Sequence, residues 1–490
     1  MLATAVVMLV AACEDSGPSN PSSSPPGPRE RTVVGIGVRP DAPGAYVAPD
    51  FLGLGFEMGV LRERRFAGDP TLERLLAKLG PGTLRFGGNS VERTRWATGG
   101  VRFAAEGGAG DTLLVQPADF DRVIAFARRI GWRVVVAINL GAYDPEQAAA
   151  EAALLVRRGG RTLLALEIGN EPDLYPLHGV RGRRWGAESL RAEFRAYARA
   201  IRARAPETRL AGPSTWCGAG PSWLPQFLRD AGGELVLATH HIYPMSATAP
   251  PPSPEHASIA NMLSPGLMAR TAACVDGAAA AARQRGLPLR IDESNSAYGF
   301  GKRGVSDVVA SALWGIDHLF TLAEHGAAGV NLQAGTNLRG GLTCAGVYLP
   351  VCGSRGSYTA RPLYYAMLFF RHAARGRLVP VDVEAGGANV AAHATLADDG
   401  TLRVTLVNKD LTRPFRARIA PGLGYVRAEA LRLAGPRLDA TDGVTLGGAA
   451  VAPDGSWAPG EVEPVLRSGA TFDVSLPVGQ AVLVTFRPRR

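Results

Sequence analysis

Two glutamates in this 490-residue sequence stand where apolar runs end, and paired carboxyl groups are suited to acid–base chemistry. Glu171 lies in "LALEIGNEPDLY" (164–175), and Glu293 closes "LPLRIDE" (287–293). Two such groups facing each other can hydrolyse a glycosidic bond, because one protonates the leaving oxygen while the other attacks the anomeric carbon. A separation of about 5–5.5 Å predicts retention of configuration, and a wider gap predicts inversion. For Glu171 alone, a loop carboxylate paired with an arginine is the alternative.

A (β/α)8 TIM barrel is the fold that would bring these two glutamates together. Apolar runs ending in polar residues alternate with helical patterns, which predicts a parallel sheet. Glu171 ends the fourth run and Glu293 the seventh, and these strands face each other across the mouth of a closed barrel. An open doubly wound sheet is the alternative, but no glycine-rich phosphate loop follows any run. The eight runs are "FLGLGFE", "GTLRFGGN", "RVVVAINL", "LLALEIGNE", "TRLAGPS", "LVLATHHIY", "LPLRIDE" and "AAGVNLQ", and helices are predicted over 70–79, 117–130, 144–157, 187–205, 268–285 and 305–325.

The pattern changes after about residue 375, where short alternating runs separated by Gly, Pro and Asp replace the helical stretches. This pattern predicts a C-terminal antiparallel β-sandwich over 375–490, following a catalytic barrel over 49–374. The segment 32–48, which contains "RTVVGIGVRP" in part, is expected to add a strand to the sandwich.

The N-terminus is typical of an exported protein. Residues 1–13 resemble a lipoprotein-type signal, with Val10-Ala11-Ala12-Cys13 matching a lipobox and Cys13 as the lipidation site. An ordinary signal peptide is the alternative, since no basic residue precedes the apolar run. Residues 14–31 are rich in Pro and Ser and are predicted to be a disordered tether. We expect a protein anchored to the bacterial cell envelope by lipid, or else periplasmic or secreted.

Charge and cysteine content restrict the partners. The net charge of +9 permits an acidic partner or reflects an arginine-rich composition, and the absence of an aromatic-interleaved basic patch argues against nucleic acid. Export permits disulfides, and Cys344 and Cys352 could close one loop. The sequence leaves the pairing of Cys217 and Cys274 open, with buried free thiols as one interpretation. No Cys/His spacing indicates zinc, so we expect no metal or cofactor.

Four motifs resemble glycoside hydrolase family 79, which holds bacterial β-glucuronidases and heparanases: "ALEIGNEP", "HHIYP", "IDESNSAYGFGK" and "RPLYYAMLFF". The resemblance implies a double displacement with Glu171 as acid/base and Glu293 as nucleophile. It implies further sugar-binding or supporting residues near them: Glu57 for sugar hydroxyls, Asn170 for the 2-hydroxyl, and His241 and Tyr243 beside the nucleophile.

Selectivity for a uronate is expected in "SAYGFGK", which offers the Tyr298 hydroxyl, the Gly299 and Gly301 amides and the Lys302 ammonium. Phe300 interrupts the consecutive glycines of heparanase-like sequences, so the resemblance leaves open which amide binds. The further candidates are two tyrosines, Tyr348 and Tyr364, with core packing as the alternative for Tyr364.

Other residues near the strand ends are expected to play supporting roles. Arg85 and Asn89 are predicted to brace the site, and His240 to be structural. Trp96, Trp216 and Trp223 are candidates for stacking on sugars, although a lone Trp more often belongs to the core.

The sequence therefore predicts a retaining, exo-acting β-glucuronidase for glucuronate-containing glycans or glycosides. The alternatives are another barrel glycosidase (an arabinofuranosidase, xylosidase or endo-glycanase) or a non-catalytic surface lipoprotein that binds sugar.

Overall fold

The computed structural model describes residues 32–97, 112–218, 222–334, 344, 347–354 and 357–489. The chain divides into two units, Met1–Arg31 and Thr32–Arg490, and every described residue belongs to the second. The predictions for the signal, the tether and Cys13 lie outside the described residues. Among the residues described, no helix has both the length and the apolar character needed to cross a membrane.

Eight parallel strands form a closed barrel in chain order, as the alternating pattern predicted. Each strand lies within or overlaps one of the eight apolar runs. Nearly every barrel-strand residue is buried, because side chains fill the barrel interior on one face and helices cover the other. The strands, numbered from first to eighth, are Gly53–Glu57, Gly82–Gly87, Trp132–Ile138, Leu163–Ile168, Leu210–Trp216, Leu235–Ile242, Leu289–Ser294 and Gly329–Gln333.

The predicted helices are present with slightly different ends. Proline at the first position and a side-chain cap define several starts; the Asp69 side chain accepts hydrogen bonds from the backbone N–H groups of Thr71 and Leu72. The α-helices are Pro70–Lys78, Pro117–Ile130, Pro145–Gly159, Ala187–Arg204, Leu224–Ala231, Ile259–Met262, Pro265–Arg283, Val309–Glu324 and Pro362–Ala373. Short 3-10 helices cover Met58–Arg62, Val91–Arg93, Gly160–Thr162, Pro172–Leu174 and Gly232–Glu234.

Two further sheets form the β-sandwich. The first has the order Val381–Glu384, Thr32–Val38, Phe415–Ala420, Thr471–Leu476 and Arg467–Ser468. The second has the order Tyr46–Val47, Gly376–Val379, Val390–Leu396, Leu402–Asn408, Gln480–Pro488, Tyr425–Ala434 and Thr445–Leu446, with Glu463–Val465 also paired to Tyr425–Ala434.

One strand pairing differs from the predicted antiparallel arrangement of the sandwich. Thr32–Val38 pairs antiparallel with Val381–Glu384 but parallel with Phe415–Ala420. The pairing is possible because almost the whole chain separates these two strands and supplies the crossover that parallel strands require. Small two-stranded sheets complete the described structure: Thr94–Trp96 with Leu113–Val115, Met245–Ser246 with Ala297–Tyr298, and Val351–Ser354 with Ser357–Ala360.

A buried network of charged groups joins the barrel to the sandwich. Asp317, on the barrel helix Val309–Glu324, lies 2.5 Å from the Lys409 ammonium and 3.1 Å from His393 Nε2. The other ring nitrogen of His393 lies 2.8 Å from a carboxylate oxygen of Glu324. Burial lowers the pKa of His393, but the carboxylates of Glu324 and Asp317 outweigh it and raise that pKa to about 10. His393 is therefore a cation at neutral pH, and the network fixes the two parts of the unit together.

Candidate active site

Glu171 and Glu293 converge at the mouth of the barrel. Three atoms lie within 4.8 Å of one another: one carboxylate oxygen of Glu171, one of Glu293, and a ring nitrogen of His241. Both glutamates are almost completely buried, yet both line a cleft of about 730 Å³. The two carboxyl groups are therefore within reach of one bound sugar ring, the arrangement that glycoside hydrolysis by paired carboxyl groups requires.

A strained corner positions Glu171 beyond the end of the fourth strand. Its backbone lies in the left-handed region at φ 46°, which is unusual for a non-glycine residue and is found where function constrains the chain. The Glu171 N–H donates to the Ser214 carbonyl oxygen at 3.0 Å, which ties the corner to the fifth strand. Glu92, which is half-buried, accepts from the N–H groups of Asn170 (3.2 Å) and Leu140 (3.1 Å).

Two donors hold the carboxylate of Glu293. Arg85 Nη1 donates to Oε2 at 2.6 Å, and the Tyr243 hydroxyl donates to Oε1 at 2.9 Å. Burial and the negative charge of Glu293 raise the pKa of Tyr243 well above its ordinary value, so the phenol keeps its proton and remains a donor. Both oxygens of Glu293 therefore accept hydrogen bonds, which fixes the orientation of its carboxylate.

Arg85 is the centre of a larger buried network. Its Nε and Nη2 contact Glu167 Oε2 at 3.0 and 2.9 Å, and its Nε lies 3.2 Å from Asp292 Oδ2. Burial lowers the pKa of Arg85, but the charges of Glu167, Asp292 and Glu293 outweigh it and raise that pKa. The sequence predicted a brace; in the structure Arg85 directly contacts the predicted nucleophile.

The carboxyl groups of Glu167 and Asp292 share this guanidinium, but their pKa values are shifted in opposite directions. Burial and the neighbouring Asp292 charge raise the pKa of Glu167, whereas Arg85 and His241 outweigh burial and hold the pKa of Asp292 below its usual range. Sequence reasoning missed both residues. Each is an acidic side chain inside an otherwise apolar barrel run, and that was the available signal.

His241 contacts Glu171 directly, whereas its neighbour His240 does not. His241 Nδ1 lies 2.9 Å from Glu171 Oε1. Burial lowers the pKa of His241, but the charges of Glu293 and Asp292 outweigh it and raise the pKa well above its ordinary value, so the ring is a cation that donates to Glu171. Burial and the His241 charge lower the pKa of His240 to about 4, and this neutral ring bonds Thr215, in accord with a structural role.

Asn170 lies beside Glu171 and is held on both sides of its amide. Its Oδ1 accepts from Arg85 Nη2 at 2.9 Å and from the Gly88 N–H at 3.1 Å. Its Nδ2 faces Asn89 Oδ1 at 3.4 Å. The amide is therefore fixed next to the cleft, with Asn89 itself on the cleft wall.

Glu57 lines the cleft from the end of the first strand. It accepts hydrogen bonds from the backbone N–H and the hydroxyl of Ser90 and from the Asn89 N–H. Burial raises the pKa of Glu57 to about 7 despite these donors. Gly88 has φ +75°, and a Cβ there would lie 2.5 Å from the Glu57 carboxyl group, so the close approach requires glycine.

Aromatic rings form the wall beside Glu293. Trp216 stacks on Tyr243 with centroids 5.5 Å apart and meets Tyr298 edge-on at 5.3 Å. The ring of Tyr348 lies 6.4 Å from that of Tyr243. All four rings line the cleft, so Trp216 is placed to contact a sugar. Trp96 lies in the core, and Trp223 packs against it.

The predicted uronate-binding residues divide into two groups. Tyr298, which is 40% exposed, Gly299 and Tyr348 line the cleft. Lys302 is directed elsewhere, since its Nζ donates to the Ala257 carbonyl oxygen at 2.9 Å, and the Gly301 N–H donates to Ala297.

The prediction that Tyr364 contacts substrate is wrong. Its side chain is fully buried in the helix Pro362–Ala373, and its hydroxyl donates to the Leu75 carbonyl oxygen at 2.8 Å. The apolar character of that helix directs the tyrosine into the core, which was the alternative interpretation.

Both described cysteine pairs form disulfides. Cys344 is bonded to Cys352. Cys217 is bonded to Cys274, a pairing that the sequence left open, and both line the cleft. Cys217 follows the fifth strand and Cys274 lies on the helix Pro265–Arg283 after the sixth, so the barrel brings together residues that are 57 positions apart.

Two groups of side chains among the described residues have a spacing suited to a metal ion. The first contains Cys217, His240 and Cys274, whose sulfur atoms are joined in the disulfide. The second contains Glu171, His241 and Glu293, where the hydrogen bond between His241 and Glu171 already uses the facing atoms.

Solved structures similar to this chain are glycosidases. A 4-O-α-L-rhamnosyl-β-D-glucuronidase from Fusarium oxysporum 12S has a TM-score of 0.76 at 21% identity, covering 92% of this chain and 100% of that chain. An α-L-arabinofuranosidase from Thermotoga maritima has a TM-score of 0.66 at 19% identity, covering 92% and 99%. A family 44 xyloglucanase from Paenibacillus polymyxa has a TM-score of 0.61 at 13% identity, covering 93% and 99%. At these identities the likeness establishes the fold. No family model matches the sequence, and no match was found among curated proteins.

Proposed function

We propose that this protein is a retaining glycoside hydrolase that acts on β-glucuronides. The observation that carries the proposal is that one carboxylate oxygen of Glu171 and one of Glu293 lie within 4.8 Å of each other. They meet at the mouth of a closed eight-stranded parallel barrel. An inverting enzyme needs a gap of roughly 6.5–9.5 Å between its carboxyl groups to hold the attacking water.

In the first step, Glu293 attacks the anomeric carbon while the bond to the leaving oxygen breaks and Glu171 gives that oxygen its proton. A glycosyl ester on Glu293 results. In the second step, Glu171 takes a proton from water, the water oxygen attacks the anomeric carbon, and the ester bond breaks to restore Glu293. Arg85 and Tyr243 orient Glu293 through both steps.

Preference for glucuronate is supported by the part of the cleft wall that follows the seventh strand. Tyr298 offers a hydroxyl donor and Gly299 a backbone amide, both next to the nucleophile strand, and either can bind a carboxylate. The similar Fusarium structure, whose name describes a glucuronidase, also favours this substrate class over an arabinofuranoside.

The test is hydrolysis of a panel of nitrophenyl glycosides by the wild-type protein, the Glu293→Gln variant and the Glu188→Gln control. Glu188 is 85% exposed on the helix Ala187–Arg204, so its variant controls for a lost carboxylate. We expect the β-glucuronide to be turned over, Glu293→Gln to lose at least 10³-fold in kcat, roughly the cost of losing a nucleophile, and Glu188→Gln to match wild type.

The anomeric proton signal of the first product should show retention. A product with inverted configuration would refute the mechanism. Turnover of an arabinofuranoside or xyloside instead of the glucuronide would refute the substrate assignment while leaving the mechanism intact.

A further inference from the structure

A second cavity lies at the seam between the barrel and the sandwich. This seam pocket has a volume of about 340 Å³, within the range of about 300–1,000 Å³ typical of small-ligand sites. Its wall includes Tyr46 and Pro49, which precede the first barrel strand, and Arg371 and Arg375, from the end of the helix Pro362–Ala373 and just beyond it. The pocket is therefore at the amino end of the barrel, opposite the cleft, which is formed at the carboxyl ends of the strands.

The two arginines of the seam pocket have no carboxylate partner among the described residues. The guanidinium of Arg371 makes no described hydrogen bond or ion pair, and Arg375 Nε donates only to a backbone carbonyl oxygen, that of Arg371, at 3.2 Å. Asp398 is the acidic residue on the described wall, and it pairs with neither. Two cations and one carboxylate, none of them paired with another, thus line the cavity, which leaves an excess of one positive charge.

The pKa values of Arg371 and of the adjacent His372 are lowered, first by burial and then by this positive charge. Burial and then the charge of Arg375 lower the pKa of Arg371. Burial and then the charges of Arg375 and Arg371 lower the pKa of His372 to about 4. Nearby, the guanidinium Nη1 of Arg403 is buried without an acceptor. A bound anion would supply the missing countercharge.

Tyr46 indicates what kind of anion the pocket fits. Its side chain is 52% exposed although it forms part of the pocket wall. A sugar acid offers a carboxylate, which guanidinium groups bind with two parallel hydrogen bonds, and a C–H face, which packs on an aromatic ring. An inorganic anion would use the arginines but not the ring.

We propose that the seam pocket is a second, non-catalytic site that binds a carboxylated sugar unit of an acidic glycan. Arg371 and Arg375 bind the carboxylate, and Tyr46 packs against the sugar ring. Binding here does not require turnover in the cleft, so the inference stands apart from the proposed function.

Calorimetric titration of the full chain with glucuronate tests the proposal, in the Glu293→Gln background to prevent turnover of glycosides. The decisive comparison is between Arg371→Gln/Arg375→Gln and the matched control Arg377→Gln. Arg377 is an exposed arginine on the adjacent strand and lies outside the pocket wall. We expect the affinity of the seam pocket for glucuronate to fall at least tenfold in the double variant, as for a lost charged hydrogen bond. The titration should then show one glucuronate fewer than for the control.

Titrations with glucose and with inorganic sulfate at matched ionic strength distinguish binding through the sugar ring from binding through negative charge. We expect neither to occupy the seam pocket as tightly as glucuronate, and Tyr46→Ala to weaken glucuronate without affecting sulfate. Equal stoichiometry and affinity in the double variant and the control would overturn the proposal, as would sulfate binding as tight as glucuronate.

Two readouts keep this test separate from the catalytic proposal and from misfolding. If the cleft binds no glucuronate, the control should still show one site and the double variant none. The double variant should unfold, without ligand, at a temperature no lower than the control, because it removes repulsion between like charges. The Arg371→Lys/Arg375→Lys variant keeps both positive charges, so it should bind glucuronate more tightly than the double glutamine variant.

Discussion

Arg85 reaches Glu293 with a hydrogen bond of 2.6 Å from its Nη1, while its Nε and Nη2 hold Glu167 on the fourth strand. A single guanidinium therefore couples the seventh strand, which carries Glu293, to the fourth strand, which leads to Glu171. Because Arg85 is completely buried, its fork geometry rather than its charge alone determines the positions of these carboxyl groups.

Replacing Arg85 by lysine should separate charge from geometry. Arg85→Lys keeps one cation but cannot serve Glu293, Glu167 and Asn170 together, so we expect kcat to fall by about 10²-fold or more, the size of effect seen when a preorganised donor is lost. Stability should fall by about 3–5 kcal/mol, because buried carboxylates lose partners. Steady-state kinetics and urea unfolding measure the two effects, and a variant with wild-type kcat would contradict the positioning role.

Replacing Glu171 by alanine should affect substrates according to their leaving group. A dinitrophenyl glycoside needs little protonation, whereas an alkyl glycoside needs a full proton from the enzyme. We therefore expect the alkyl glycoside to lose at least 10²-fold more in kcat/KM than the activated substrate, within the usual contribution of a general acid. Equal losses for both substrates would exclude Glu171 as the proton donor.

Removing the nucleophile should leave a cavity that a small anion can fill. For Glu293→Ala, we expect azide to restore part of the turnover of an activated β-glucuronide and to give a glycosyl azide of inverted configuration relative to substrate. The product is identified by its anomeric coupling constant. Azide should have no such effect on Glu188→Gln, and failure to form the azide in Glu293→Ala would count against Glu293 as the attacking group.

The network between barrel and sandwich should make stability depend on pH above neutrality. The pKa of His393 is about 10 in the folded state against 6.5 ordinarily, so its stabilisation is fully present below about pH 6.5 and is lost as pH rises through about 10. We expect the difference in unfolding free energy between wild type and His393→Gln to shrink from pH 6 to pH 10. A difference that stays constant or grows over that range would contradict a cationic His393.

The Cys217–Cys274 disulfide should contribute substantially to stability. It closes a loop of 57 residues, for which chain-entropy arguments give roughly 4 kcal/mol. We expect Cys217→Ser/Cys274→Ser to lower Tm, and reduction to lower the Tm of wild type by more than that of this variant, which keeps only the Cys344–Cys352 bond. If reduction lowered the Tm of wild type and of the double serine variant equally, the effect would belong to the other disulfide.

The barrel could be predicted from the sequence because each strand is a short apolar run that ends in a polar group. The same rule predicted that Glu171 and Glu293 would converge, because strands four and seven face each other across the barrel mouth, and both line the cleft. The contacts of Arg85 could not be predicted, because its partners belong to the fourth and seventh strands and meet only when the barrel closes.

Side-chain direction was the other limit of sequence reasoning. Lys302 is close in sequence to Tyr298, but the turn between them directs its ammonium to the Ala257 carbonyl instead of the cleft. Tyr364 lies in a helix whose residues from Pro362 to Phe370 are all buried, so it packs in the core whichever way it points, and the motif around it does not reveal this. Such outcomes depend on local backbone conformation and tertiary packing, which motif spacing does not specify.

The pairing of Thr32–Val38 with Phe415–Ala420 has a consequence for how the protein is made. During synthesis, roughly four hundred further residues are added after the first described strand before this partner strand has been made. A chain interrupted just after the barrel would leave both edges of that early strand open to other chains. Completion of the sandwich is therefore a late event that protects the earliest part of the fold from aggregation.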